Sequence, residues 1–227
     1  MNFVIIVAAG TGNRMKSDFP KQFLNLNGLP IVMHTIDRFS QSNTISEVIL
    51  VISEAMESYW NELCVKYQFD SPIHVTFGGR TRFESVKNGI DYIKQNFDIG
   101  PKDYIAVHDG ARPIISDELI RKAFQGAYEH QAIVLAQKSV ESVRLGDMST
   151  NTAADRNQIW LIQTPQVFLG KLLLKSYQQD EDPLFTDDAS VVEKTGKNIH
   201  IVEGDSRNIK ITYPQDLQIA QLYLKLI

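Results

Sequence analysis

Five short apolar runs rich in β-branched residues recur along the first 136 residues: FVIIVA at 3–8, SEVILVIS at 46–53, IHVTF at 73–77, DYIAVH at 103–108 and AIVLA at 132–136. Each is too short for a typical helix. Between them lie stretches with helical spacing, PIVMHTIDRFSQ at 30–41, RFESVKNGIDYIKQNF at 82–97 and SDELIRKAFQGAYEH at 116–130. Near-continuous apolar strands alternating with amphipathic helices call for an α/β fold whose mainly parallel sheet is covered on both faces. Further on, IWLIQTPQVF continues the sheet, TDDASVVEKTG opens a helix, NIHIVEG adds a strand and YPQDLQIAQLYLKLI closes with a helix.

One stretch breaks this rhythm. Residues 137–158, QKSVESVRLGDMSTNTAADRNQ, are polar and place a Gly-Asp turn signal between two short segments. Such a stretch is either an exposed loop or a β-arm reaching a partner subunit, because long connections in compact domains are more often functional or disordered than incidental. With no repeat and no linker elsewhere, the expectation is one domain over 1–227 with 137–158 as an inserted arm.

The chain has 227 residues, 43% apolar and 22% charged, which suffices for a sizeable core and excludes a disordered or fibrous chain. A net charge of -4 argues against a broad basic face for nucleic acid. Cations cluster locally instead. Arg14, Lys16 and Lys21 stand against Asp18 in the first 21 residues, and Arg80, Arg82 and Lys87 against Glu84 in residues 80–87, a pattern that suits a small anion. The single cysteine, Cys64, cannot form an intramolecular disulfide and reads as a packed thiol. The start MNFVIIVAAG has no basic flank and runs straight into a glycine loop, so it reads as a strand and not as a secretory or membrane segment. A cytoplasmic protein is expected.

In open α/β sheets, ligands bind beyond the carboxyl ends of the strands. AAGTGNRM follows the first apolar run there, and Gly10 and Gly12 allow a tight turn whose amides suit phosphate oxygens, although plain turns use glycine as well. A dinucleotide fingerprint would need a third glycine where Met15 stands. A triphosphate P-loop would need serine or threonine after Gly196-Lys197, where Asn198 stands. What remains is a loop carrying Arg14 and Lys21, with Pro20 setting the chain direction, that either folds over a polyphosphate or is an ordinary basic turn.

HDGARP puts Asp109 and Arg112 at another strand's carboxyl end, where they meet a sugar hydroxyl and a phosphate, or else each other. In FGGRTRFESV, Gly78 and Gly79 permit close contact with a flat ring or a ribose, and Ser85 follows one turn into the helix as a ligand contact or a cap. Thr186 in LFTDDAS is placed at an N-cap suited to phosphate, although Asp187 and Asp188 satisfy the same positive end. Lys210 in DSRNIKIT is placed on a strand. The five histidines show no zinc-ligand spacing.

Taken in order, AAGTGNRM, PKQF, GGRTRFESV, HDGARP, DRNQIWLIQTPQVF, TDDAS and NIKIT resemble the 2-C-methyl-D-erythritol 4-phosphate cytidylyltransferases of the non-mevalonate isoprenoid pathway, over nearly the whole chain. The resemblance implies a Rossmann-like nucleotidyltransferase domain, a homodimer joined by exchanged β-arms, and transfer of a cytidylyl group from CTP to methylerythritol phosphate with Mg²⁺. By motif match, Ala8, Ala9, Gly10, Gly79 and Ser85 would surround cytidine and Asp109 would lie near the ribose. Arg14, Lys21 and Lys210 would be the catalytic cations, the first two on the triphosphate and Lys210 on the α-phosphate. Arg112 and Thr186 of one subunit would hold the alcohol phosphate with Ser142 and Arg156 of the other.

Two positions depart from the family pattern. Glu141-Ser142 stands where Asp-Thr is usual, keeping a hydroxyl, and Arg80 stands where an acidic residue is common beside the base. Enzymes acting on ribitol 5-phosphate share the lysine loop and the arm, but tend to have LAGG and HDAVRP where this chain has VAAG and HDGARP. A non-catalytic nucleotide-binding regulator is the rival of another class; the presence of both Lys21 and Arg14 argues for turnover. The chemistry agrees, since a phosphate monoester is already ionised and its attack on an α-phosphate needs cations more than a general base.

Overall fold

Alternate residues of a strand point to opposite faces of its sheet, so a strand that is apolar at every position needs cover on both sides. The computed structural model, which describes residues 1–10 and 20–226, builds that arrangement. Its elements are β1 (Asn2–Ala8), β2 (Asn25–Leu26), β3 (Leu29–Pro30), α1 (Ile31–Ser40), β4 (Glu47–Ile52), α2 (Glu57–Tyr67), β5 (His74–Phe77), α3 (Arg82–Asn96), β6 (Tyr104–Asp109), α4 (Asp117–His130) and β7 (Ala132–Lys138). They continue with β8 (Val143–Gly146), β9 (Asn151–Ala154), β10 (Trp160–Leu169), α5 (Gly170–Ser176), α6 (Asp188–Glu193), β11 (His200–Glu203) and α7 (Pro214–Leu224).

The main sheet has the order β11-β7-β10-β6-β1-β4-β5. Every neighbouring pair is parallel except the two made by β10, which runs antiparallel to both β7 and β6. One face packs Val4, Ile6, Val48, Leu50 and Ala106 against α1, α2 and α4. The other packs Phe3, Ile5, Ile49, Val51, Ile105 and Val107 against α3, α5 and α6. A third cluster, with Leu26, Ile31, Ile211 and Ala220, seats α7 beside the β2–β3 ribbon.

The expected strands and helices are present except for a strand at Lys210, while α2, α5 and the β2–β3 ribbon carry no clear signal in the sequence. α2 fully buries only Trp60 and Leu63, too thin a stripe to stand out. The segment 137–158 contains the hairpin β8–β9, paired from Val143↔Ala154 to Gly146↔Asn151. Its turn requires Gly146, which sits at φ +128° with Thr150 O only 2.2 Å from where a Cβ would be. The start of the stretch belongs to the main sheet, because Gln137 and Lys138 pair with Leu161 and Trp160. Among the described residues, no helix is long and apolar enough to cross a membrane.

Candidate functional site

β1, β4, β5 and β6 are parallel and nearly in register at their ends, with Ala8 beside Ile52, Ile52 beside Phe77 and Val7 beside Asp109. The chain leaving each strand therefore emerges on one rim. A cavity of about 570 Å³ lies there, floored by Ala8, Ala9 and Gly10, walled on one side by Gly79, Arg82 and Ser85 and on the other by Lys21, Asp109 and Lys210. Eight residues expected from the motifs are thus brought together from five separate parts of the chain. Arg14 lies outside the described residues.

The glycine pair after β5 is needed for its small size. A Cβ on Gly78 would come within 2.5 Å of the Ala9 Cβ and 2.6 Å of the Ser85 hydroxyl. The Ser85 Oγ accepts a hydrogen bond from the Gly79 N–H (3.1 Å) and donates to Thr81 O (2.8 Å), so it shapes the glycine loop; the cap of α3 is Thr81. At Gly10, by contrast, no described atom lies within 4 Å of an added Cβ. Arg80 accounts for little of the cavity's charge, since its guanidinium is 92% exposed and turns back onto Glu84.

Asp109 organises the cationic wall. Its Oδ2 receives Lys210 Nζ at 3.0 Å and Arg112 Nε at 3.2 Å, and its backbone N–H donates to Thr164 Oγ1. Burial opposes its charge, but Lys210, Arg82 and Arg112 outweigh that penalty and hold the carboxyl far below the usual range. The Asp109–Arg112 pairing foreseen as an alternative to ligand binding is therefore present, and Arg112 also donates to Asn208 O at 2.8 Å.

Lys210 itself is not on a strand, contrary to the sequence expectation. The segment after β11 is irregular and is sewn across the rim by Gln163 Nε2 to Asp205 O, Asn208 Nδ2 to Thr164 O and Ile211 N to Ala111 O. Such cross-links hold an extended segment without a ladder. Lys21 Nζ donates to Ile211 O at 2.6 Å, so two lysines far apart in sequence share one wall.

Thr186 is not the N-cap of α6. Asp187 is, accepting from Ser190 N in a capping box, and a carboxylate is the stronger acceptor for those amides. Thr186 is exposed one residue earlier. Ser142 and Arg156 are exposed around the hairpin, where Arg156 donates to Val140 O; neither they nor Thr186 and Arg112 line the cavity of their own chain.

Arg82 is more than one member of a surface basic cluster. Its guanidinium makes a bidentate pair with the fully buried Asp188, at 2.9 and 2.6 Å, and Tyr177 Oη donates to the same carboxylate at 2.6 Å. Burial works against its charge, yet Asp188 overcompensates and raises the Arg82 pKa. The pair ties the glycine-loop side of the cavity to the Thr186 side. The basic residue directly inside the helix that follows Gly78-Gly79 was the one available sequence signal; the partner 106 residues away gave none.

His108 is fully buried beneath the same turn, with Nε2 donating to Arg112 O (3.1 Å) and Nδ1 accepting from Thr164 Oγ1 (3.1 Å). Burial lowers its pKa to about 4. Because the folded pKa lies below the ordinary value of 6.5, the fold favours neutral imidazole, and this stability is complete above pH 6.5 and is lost as pH falls toward 4. The expected loss is about 3 kcal/mol, one pKa unit being ~1.4 kcal/mol. Urea midpoints measured from pH 7 to 4.5 are expected to fall less steeply in His108→Gln than in the native chain; equal slopes would show that His108 is not the titrating group. His34, also lowered by burial, contributes equally to both proteins, and the Asp109 contribution is lost only at still lower pH.

Comparison with known proteins bears on this arrangement directly. The family model described as 2-C-methyl-D-erythritol 4-phosphate cytidylyltransferase matches residues 2–226. Proteins of that name from Bacteroides thetaiotaomicron and Azobacteroides pseudotrichonymphae are 43% and 44% identical, over 97% and 96% of this chain and 98% and 96% of their own. The crystal structure of the Francisella tularensis protein of that name is 31% identical and superimposes with a TM-score of 0.80, covering 98% of this chain and 99% of the other. The 4-diphosphocytidyl-2C-methyl-D-erythritol synthase of Anaerococcus prevotii, 30% identical, gives a TM-score of 0.82 over 99% and 96%. A match that runs through both the glycine-floored rim and the segment bearing Lys210 makes the chain a member of the 2-C-methyl-D-erythritol 4-phosphate cytidylyltransferase family.

Proposed function

We propose that this chain transfers the cytidylyl group of CTP to 2-C-methyl-D-erythritol 4-phosphate in isoprenoid precursor biosynthesis. An oxygen of the alcohol phosphate forms a new bond to the α-phosphorus of CTP, the bond from that phosphorus to the bridging oxygen breaks, and pyrophosphate leaves. The observation that carries this reading is the convergence of Lys21 and Lys210 on one wall of a cavity whose floor, Ala8 to Gly10, is small enough to seat a flat base. Lys210 reaches the α-phosphate, and Lys21 and Arg14 hold the triphosphate; fixed cations are the main requirement of such a transfer. Gly79 and Ser85 support the base, and Asp109 meets the ribose from its place beside Lys210.

Among the described residues there is no cluster of three metal-ligating side chains, and Asp109, the one carboxylate lining the cavity, already carries two cations. Mg²⁺ accordingly fits here as part of the substrate, bound chiefly by CTP oxygens and water. It offsets triphosphate charge when bound, while the lysines orient the reacting phosphorus.

The whole chain, 1–227, acts as one nucleotidyltransferase domain with 137–158 as its dimerisation arm. The arm exposes Val140, Leu145 and Met148 at 81%, 60% and 102%, apolar side chains that a second copy would cover. Ser142 and Arg156 would then complete the partner's alcohol-phosphate site with Arg112 and Thr186. On this reading the protein works in the cytoplasm.

An added Cβ on Gly110 would meet Ala8 Cβ and Val7 O at 3.1 Å, so the turn before Arg112 is built for small residues, and the branched methyl would lie against Ala111, whose short side chain lines the cavity. Pyrophosphate release is expected with CTP over the other common nucleoside triphosphates. With methylerythritol 4-phosphate, kcat/KM is expected to exceed that with ribitol 5-phosphate by at least about 100-fold, a ratio that unpaired polar contacts can supply. Equal or reversed preference assigns the chain to ribitol chemistry, and no release with any pair supports a non-catalytic binder.

A further inference from the structure

Gln22 follows the lysine of PKQF and sits in a short 3-10 turn, Lys21–Phe23. It is 4% exposed, and its carboxamide nitrogen donates to two carbonyl oxygens, Ala8 O and Gly10 O, the latter at 2.9 Å. These two carbonyls belong to the floor of the cavity, at the end of β1. Phe23, on the far side of the turn, is buried against Tyr59 and Trp60. The turn is thus anchored to the core by Phe23 and to the nucleotide floor by Gln22, while the Lys21 ammonium reaches the segment after Lys210.

From this geometry we infer that Gln22 is a positioning residue: it sets the place of Lys21 relative to the bound nucleotide by fastening the lysine's turn to the floor on which the base rests. The amide is suited to the task because one NH₂ group has two hydrogens for two carbonyls, and no other neutral side chain of this length offers two donors on one atom. A displacement of about 1 Å in a catalytic group can cost ~10²-fold in rate. The inference rests on Lys21 acting in the reaction as proposed above.

The test is a double-mutant cycle on the full-length protein, with kcat and KM for CTP measured in the native chain, Gln22→Met, Lys21→Ala and the double variant. Gln22→Met keeps the length and removes both donors. It is expected to lower kcat about 10- to 50-fold, with KM for CTP within about threefold. In the Lys21→Ala background the same change is expected to cost less than about twofold, because nothing is left to position.

A merely structural role would lower thermal stability and active fraction but leave kcat per active site unchanged, and that result overturns the inference. So does an equal loss in both backgrounds. If Lys21→Ala itself turns over at the native rate, the catalytic reading of Lys21 fails and the inference falls with it, an outcome separate from an additive cycle around an inactive Lys21→Ala. Should Gln22→Met not fold, Gln22→Asn, whose amide stops one methylene short of the two carbonyls, is run through the same cycle with the same criteria.

Discussion

Lys21→Ala is expected to lower kcat ~10²–10³-fold while KM for CTP changes only a few-fold, the pattern of a charge that acts in the transition state and not in ground-state binding. In the proposed reaction the five-coordinate phosphorus and the departing pyrophosphate would concentrate negative charge where the Lys21 and Lys210 wall faces the cavity. A preorganised ammonium there requires no rearrangement as the charge develops. Turnover near the native rate would remove Lys21 from the mechanism. The same variant also tests the proposed dimer: in equilibrated mixtures with Arg156→Ala, one of the two sites of each mixed dimer would hold both native residues, so partial activity returns if the hairpin completes the partner's site. No recovery would confine each site to its own chain.

Asp188→Ala is expected to be the most destabilising single change considered. It leaves the Arg82 guanidinium without its counter-ion and the Tyr177 hydroxyl without its acceptor. Breaking one side of a buried pair typically costs 3–5 kcal/mol, and about 3 is expected here because 32% of the Arg82 side chain remains exposed. Adding Arg82→Met is expected to recover part of the loss, since the uncompensated charge goes with it. Urea unfolding of the three proteins checks this; a loss below about 1 kcal/mol in Asp188→Ala would place the pair among screened surface contacts.

β1, β4 and β6 are legible in the sequence because burial on both faces leaves them almost no polar residue, and α1, α3 and α4 because they bury broad stripes. The direction of β10 is not legible, since an apolar run carries no record of which way it lies in a sheet. In the site, the glycine loops and Asp109 stand out because close approach and charge at a strand end restrict residue choice. Gln22 and Arg82 do not. The carbonyls that bind Gln22 belong to backbone, which has no side-chain signature, and the partner of Arg82 lies 106 residues away. Thr186 was misplaced by one residue because Thr186 and Asp187 are both good caps, and only geometry selects the carboxylate.

The reversal of β10 has an evolutionary reading. A connection between parallel neighbours must run back to the opposite end of the strands, but β7 and β10 are antiparallel, so the chain leaves and re-enters at the same rim that holds the cavity. Insertions in that one connection lengthen or reshape a projection from that rim without disturbing a single residue of the hydrophobic core. The length and shape of the projection can therefore diverge by exchange of residues 139–159 alone, with the nucleotide-handling strands inherited unchanged.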